Sequence, residues 1–139
     1  MKIFDSMEIA GSSLTAHRLW LDTISSNLAN INTTRTKAGG PYKRRVPVFA
    51  EMLDSTIGGY HDIGGVRVLD ITEDQSAPRM VYQPDHPDAN AEGYVSYPNV
   101  NLVREMTDML VASRAYEANL SEVTTGRAMW NGALEVMRG

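Results

Sequence analysis

At both ends of this chain an apolar residue recurs every three to four positions, from Met7 to Ile31 and again from Leu102 to Met137. The first series is Met7, Ala10, Leu14, His17, Leu21, Ile24, Leu28 and Ile31, spaced three and four alternately without a slip, with His17 its one polar member. The second is Leu102, Met106, Met109, Ser113, Tyr116, Leu120, Val123, Arg127, Trp130, Leu134 and Met137, broken only by Ser113 and Arg127. A sustained 3.5-residue period marks a helix that packs along its length on another helix. Positions 100 to 138 as one helix would run about 58 Å, whereas a compact globule of this length has a radius of gyration of about 14 Å. Such a helix projects, and its seam needs a partner.

Between the seams the chain is punctuated by glycine pairs at 39–40, 58–59 and 64–65. Asp5 with Glu8 three residues on reads as a capping-box start, and the first helix should run to about Asn32, where Thr33-Thr34 and then Gly39-Gly40-Pro41 end it. The segments 66–71 (VRVLDI), 79–83 (RMVYQ) and 93–97 (GYVSY) are β-rich and bounded by turn residues, which predicts one small antiparallel sheet. Residues 46–54 (VPVFAEMLD) suit a short strand or a helical turn equally. Pro98 closes the middle, and Asn99 or Asn101 caps the second helix.

Because the chain leaves by one helix and returns by the other, the pair should be antiparallel. The expected fold is mainly α with a small β region. Long terminal helices pair as an antiparallel coiled coil, 1–33 and 99–139 forming one helical domain around a loop and antiparallel β region at 34–98. The seam positions expected at subunit interfaces are Met7, Leu14, Leu21, Ile24, Leu28, Ile31, Leu102, Met106, Met109, Tyr116, Leu120, Val123, Trp130, Leu134 and Met137. Gly126 and Gly132 each cost about 0.8–1 kcal/mol relative to alanine in a helix interior. The second helix therefore depends on packing, and exposed seams favour association with further copies or partners.

Composition narrows the chemistry. Cysteine is absent, which excludes disulfides and thiolate metal sites. The amino-terminal stretch MKIFDSMEIAGSS holds one lysine, two acids and no unbroken apolar run, so no Sec-type signal is expected, and nothing approaches a membrane span. A formal charge of -4 argues against a nucleic-acid partner. That charge is unevenly spread: residues 23–50 carry +5 and residues 51–99 carry -7. One reading is complementarity between neighbouring copies, Lys43, Arg44 and Arg45 of one meeting Asp85 and Asp88 of the next. The alternative is pairing within the chain, or plain solvation.

No catalytic, cofactor-binding or metal-binding residue is expected, and no small-molecule substrate. Asp88, Asn90, Glu92 and Gly93 imitate the opening of a calcium loop, but its twelfth position is Asn99 where a bidentate glutamate is needed, so a structural turn is expected. His61 with Asp62, and His86 beside Asp85 and Asp88, read as solvated loop residues. His17 reads as a specificity device on the seam, since no serine–acid arrangement surrounds it. The glycine pairs lack the strand-to-helix setting of a phosphate loop, and Tyr42 alone is too little for base stacking.

One motif points further. Residues 24–33 read ISSNLANINT, in which asparagine and threonine suit a helix end because their side chains take the last carbonyls and the first loop amides. This stretch, through Asn27, Leu28, Ala29, Asn30 and Thr33, resembles the signature of the bacterial flagellar rod, hook and hook-associated proteins. PDHPDANAEGYV at 84–95, PNVNLVREMTDML at 98–110 and ASRAYEANL at 112–120 are similar to the short proximal-rod branch of that family. WNGALEVMRG at 130–139 departs from the family's usual run of apolar and basic helix formers.

The resemblance implies a structural subunit, not an enzyme, with no cofactor. It implies passage through the flagellum's own export apparatus, in keeping with the missing Sec signal, and no membrane insertion. It further implies polymerisation with other copies and with other rod and basal-body proteins into the periplasmic drive shaft that carries motor torque. The rival reading is a soluble homo-oligomeric coiled-coil adaptor outside the flagellum. It shares the seams but has no reason to carry the asparagine-rich helix end together with the 84–95 segment. An enzyme is disfavoured by the absence of a convergent titratable set.

Overall fold

Asparagines set the inner ends of both long helices. The computed structural model describes residues 2–52 and 64–138, with side chains from Asp5 onward. Helix α1 spans Lys2–Ala29 and helix α2 spans Leu102–Arg138. Asp5 lies in the first turn of α1, near the positive end of the helix dipole, so the Asp5–Glu8 pair is inside the helix and does not start it. The helix stops at Ala29, short of the expected Asn32. Asn30 donates from Nδ2 to the Ser26 carbonyl (2.9 Å), and the Thr33 hydroxyl donates to Asn30 Oδ1 (3.1 Å), so the last turn's polar groups are met while the chain turns away. Of the two candidate caps for α2, Asn101 is the one used: its Oδ1 accepts the Arg104 amide at 3.1 Å. The helices, 28 and 37 residues long, measure about 42 and 55 Å.

The pair is antiparallel, with Met7 against Gly126 at one end and Asn27 against Glu105 at the other. On α1 the buried positions are Ala10, Ala16, Thr23, Ile24 and Asn27; on α2 they are Glu105, Ala112 and Gly126, set at multiples of seven. A Cβ on Gly126 would stand 2.9 Å from Met7 Cγ and 3.0 Å from its Sδ, so glycine permits the close approach. The face of α2 that α1 covers is therefore not the one the apolar series indicated. Gly126 lets the backbones close up there, and Glu105 lies on that face because Asn27 and Arg44 take its carboxylate. Met109, Tyr116, Val123 and Leu134 flank it half-buried, whereas Leu102, Met106, Leu120, Trp130 and Met137 are exposed.

Among the described residues the middle forms two separate two-stranded sheets in place of the single sheet expected. Strand β1 (Arg45–Glu51) pairs antiparallel with β2 (Val66–Glu73), from Arg45 opposite Glu73 to Glu51 opposite Val66, with a bulge between Val48 and Phe49. Residues 46–51 are thus strand. Strand β3 (Arg79–Tyr82) pairs with β4 (Tyr94–Tyr97), Arg79 opposite Tyr97 and Tyr82 opposite Tyr94. The first hairpin lies on α1: Phe49 meets Trp20 edge to face (centroids 5.8 Å), and the Val66 amide donates to Ser12 Oγ (3.1 Å). The second is directed elsewhere by a turn at 74–76 that Asn99 holds through bonds to the Asp74 and Ser76 carbonyls (3.0 and 3.1 Å). His61, Asp62, Gly58, Gly59 and positions 53–54 lie outside the described residues.

The stretch that imitates a calcium loop is a turn whose polar groups bond within the protein. Asn90 Oδ1 accepts the amides of Glu92 (3.0 Å) and Tyr94 (2.9 Å), and Gly93 sits at φ 82°. Asp88 accepts the Thr34 hydroxyl (2.8 Å) and lies 3.7 Å from Arg35.

Candidate assembly interface

The end of α1, the start of β1 and the start of α2 converge on Asn27, which is 1% exposed. Its Nδ2 donates to the Arg45 carbonyl (2.8 Å) and to Glu105 Oε2 (3.0 Å); its Oδ1 accepts the Tyr42 hydroxyl and the Arg45 amide (both 2.9 Å). Two donors and two acceptor lone pairs are all used. Glu105, fully buried, also takes Arg44 Nε on Oε1, and Arg44 extends to Asp108 (3.2 Å) and Asp74 (3.9 Å). The Arg44 amide donates to Asn99 Oδ1 at 2.8 Å. This node welds both helices to the first hairpin.

A side chain so committed is not a surface contact. Arg44 is 7% exposed and spends its charge within its own chain, which removes it from the proposed inter-copy set and matches the alternative of intramolecular pairing. Lys43 and Arg45 are exposed, Asp85 is exposed and Asp88 is half-buried against Thr34 and Arg35. Among the signature residues Asn27 is the node, Asn30 and Thr33 form the helix end, Leu28 is half-buried and Ala29 is exposed. Ile24 is buried, and Met7, Leu14, Leu21, Leu28 and Ile31 are half-buried. His17 donates from Nδ1 to the Ser13 carbonyl (2.7 Å), with its ring beside those of Trp20 and Phe49 (centroids 6.2 and 6.5 Å). His86 accepts the Asp88 amide on Nδ1 (3.1 Å).

Part of what the helix pair leaves outside is apolar. Leu102, Val103, Met106 and Leu110 form a stripe on α2, Val103 being 72% and Leu110 67% exposed, away from the Glu105–Ala112 face on α1. No helix among the described residues is long and apolar enough to cross a membrane.

Comparison with known proteins bears on both halves of this architecture. Residues 7–37 match the family described as flagella basal body rod protein, and residues 91–136 match the C-terminal family of the flagellar basal body rod FlgEFG proteins. The flagellar basal-body rod protein FlgC of Borreliella burgdorferi is 43% identical over 100% of both chains. That of Bacillus subtilis is 42% identical over 98% of this chain and 99% of the relative, and that of Aquifex aeolicus 34% over 99% of each. The chain belongs to the FlgC family of flagellar rod proteins. It is a structural rod subunit of the flagellar basal body. The two matched stretches hold Asn27 and Glu105, one each, while Tyr42, Arg44, Arg45 and Asp74 of the node lie between them.

The apolar period could not reveal Tyr42, Glu105, Asp108, Asp74 or Asn99 as members of this node. One sequence signal for the α2 half does exist: Glu105, Ala112, Asn119 and Gly126 recur every seven residues as small or polar positions.

Proposed function

We propose that this FlgC-family subunit polymerises through its terminal helices into the periplasmic drive shaft, joining other copies and other rod and basal-body proteins, and transmits motor torque. In this reading the helical unit of 1–33 and 99–139 acts as one antiparallel coiled coil, with 34–98 as its outer part. The chain reaches the periplasm through the flagellar export apparatus, inserts in no membrane and catalyses nothing. The observation that carries the reading is the bare stripe of Leu102, Val103, Met106 and Leu110, apolar surface that a single chain leaves in water and a packed rod would bury. Long packed helices transmit torsion because close-packed interfaces deform little.

A carboxylate on that stripe tests it. Leu110→Asp leaves the purified chain's circular dichroism and thermal midpoint near those of the parent, since the position is solvated in one chain, yet it abolishes swimming and incorporation into isolated basal bodies. Normal swimming in cells carrying Leu110→Asp would show that the stripe is not an interface.

A further inference from the structure

Beside the end of α1, residues 36–45 enclose an open cleft of about 460 Å³ whose walls carry Lys37, Lys43 and Arg45 against a single acid, Glu73. Lys43 and Glu73 lie 3.9 Å apart with both side chains about half exposed, a weak contact. Among the described residues no carboxylate is within ion-pair range of Lys37 or Arg45. The cleft is a built feature: its Tyr42 is anchored by its hydroxyl to Asn27 and by its amide to the Thr33 carbonyl (3.0 Å). Both backbone groups of Arg45 are held by Asn27, and its guanidinium carbon is 5.8 Å from the Tyr42 ring centre. The 36–40 turn is closed by Thr36 N–H to the Gly40 carbonyl (2.9 Å), with Gly39 and Gly40 at φ 86° and 75°. A pre-ordered cationic cleft loses little entropy when it takes an anionic guest.

The complementary surface is elsewhere on the same chain. From residue 80 to residue 103 there is no lysine or arginine, while 84–92 carries Asp85, Asp88 and Glu92. This segment lies in the connection between β3 and β4, a hairpin whose strands, among the described residues, lie close to neither helix nor the other hairpin. Its own Asp88 is tied to Thr34 and Arg35, just ahead of the cleft, which leaves Asp85 and Glu92 exposed. We propose that the Lys37–Lys43–Arg45 cleft of one subunit receives the acidic 84–92 loop of a second copy of this chain, an inference that rests on the rod reading. One cleft and one loop per copy make a head-to-tail contact, which closes into a ring or winds into a helix, as a tubular shaft requires. Opposed charges fix the register and make a misplaced neighbour repulsive.

The absence of cysteine allows a clean test. Cells express the chain with Lys43→Cys and Asp85→Cys together; basal bodies are isolated, oxidised and run without reductant, with each single substitution as a control. The expected result is a ladder of covalent dimers and higher oligomers from the double variant only. Monomer alone, or a faster-migrating monomer closed on itself, overturns the inference while the subunit's presence in the basal bodies leaves the rod reading standing. A subunit absent from basal bodies, in cells that swim after its gene is deleted, overturns the rod reading and this inference with it. As a second readout, Lys37→Glu with Lys43→Glu and Arg45→Glu abolishes swimming, and adding Asp85→Lys with Glu92→Lys restores part of it. Normal swimming of the triple variant, or no recovery with the acidic reversals, equally overturns the pairing of these two surfaces.

Discussion

At the residue scale the energetic centre of this subunit is a buried charge. Glu105 has both oxygens taken, by Arg44 and Asn27, so removing it leaves a guanidinium 7% exposed and an amide without its acceptor. Breaking such a pair from one side costs about 3–5 kcal/mol. Glu105→Ala should therefore lower the denaturant midpoint sharply, while Glu117→Ala, which loses only the exposed contact with Arg114, should stay within about 0.5 kcal/mol of the parent. Comparable midpoints for the two variants would show that the node contributes nothing. Asp74 adds a pH dependence. The amide and hydroxyl of Ser76 hold its carboxyl below the ordinary value of 3.8, assisted by Arg44 and Arg104 against some desolvation. With the folded value depressed, its contribution is present above the ordinary value and is lost as the pH falls through the folded one. Asp74→Asn should flatten the acid limb of stability below about pH 4, read by urea unfolding at successive pH values, and leave the neutral slope unchanged. None of this was legible in the sequence beyond the asparagines of the helix end, because an apolar period marks a helix that packs and says nothing about which polar groups meet between two helices.

At the scale of elements, both helices and all three β-rich stretches at 66–71, 79–83 and 93–97 were visible as patterns, since each has a local period bounded by turn residues. What a local pattern cannot carry is partner choice. Nothing in RMVYQ or VRVLDI says that a turn held by Asn99 sends β3 away from β2, and the Leu and Met series on α2 says nothing of which face α1 will take. Glycine decided that. At Gly126 a new Cβ meets Met7 within 3.0 Å, whereas at Gly132 nothing lies within 4 Å. The expected outcomes diverge accordingly. Gly132→Ala should gain about 0.8–1 kcal/mol from helix propensity. Gly126→Ala should lose most or all of that gain because Met7 must shift, and Gly126→Leu should destabilise by about 1–3 kcal/mol through overpacking. Thermal midpoints of the three purified variants decide it, and equal stabilisation by the two alanines would mean that the helices are not in close contact at Met7.

At the scale of the whole molecule the two helices are unequal, and the difference sits at one end. Met7 lies against Gly126 and Asn27 against Glu105, so the first residues of α1 reach only about position 131 of α2. From there to Arg138 the second helix runs past the start of α1; Leu134 is still half-buried, while Val136 and Met137 are about four-fifths exposed. Two turns of helix past the end of the helix pairing, with Gly132 at their root, are marginal in water, because short helical stretches gain too little from backbone hydrogen bonds alone. The same residues present apolar surface that a neighbour in the rod would cover. Amide exchange on a verified monomer should therefore show residues 132–138 exchanging within a small factor of the free-chain rate, while the amides from Glu105 to Gly126, packed along α1, exchange orders of magnitude more slowly. In assembled basal bodies the protection should extend through 132–138 and little should change between 105 and 126. Strong protection of 132–138 in the monomer would sink the account, since the overhang would then be stabilised by the chain itself. Continued fast exchange after assembly would place the end of α2 outside every subunit contact and leave the Leu102–Leu110 stripe as the assembly surface of that helix.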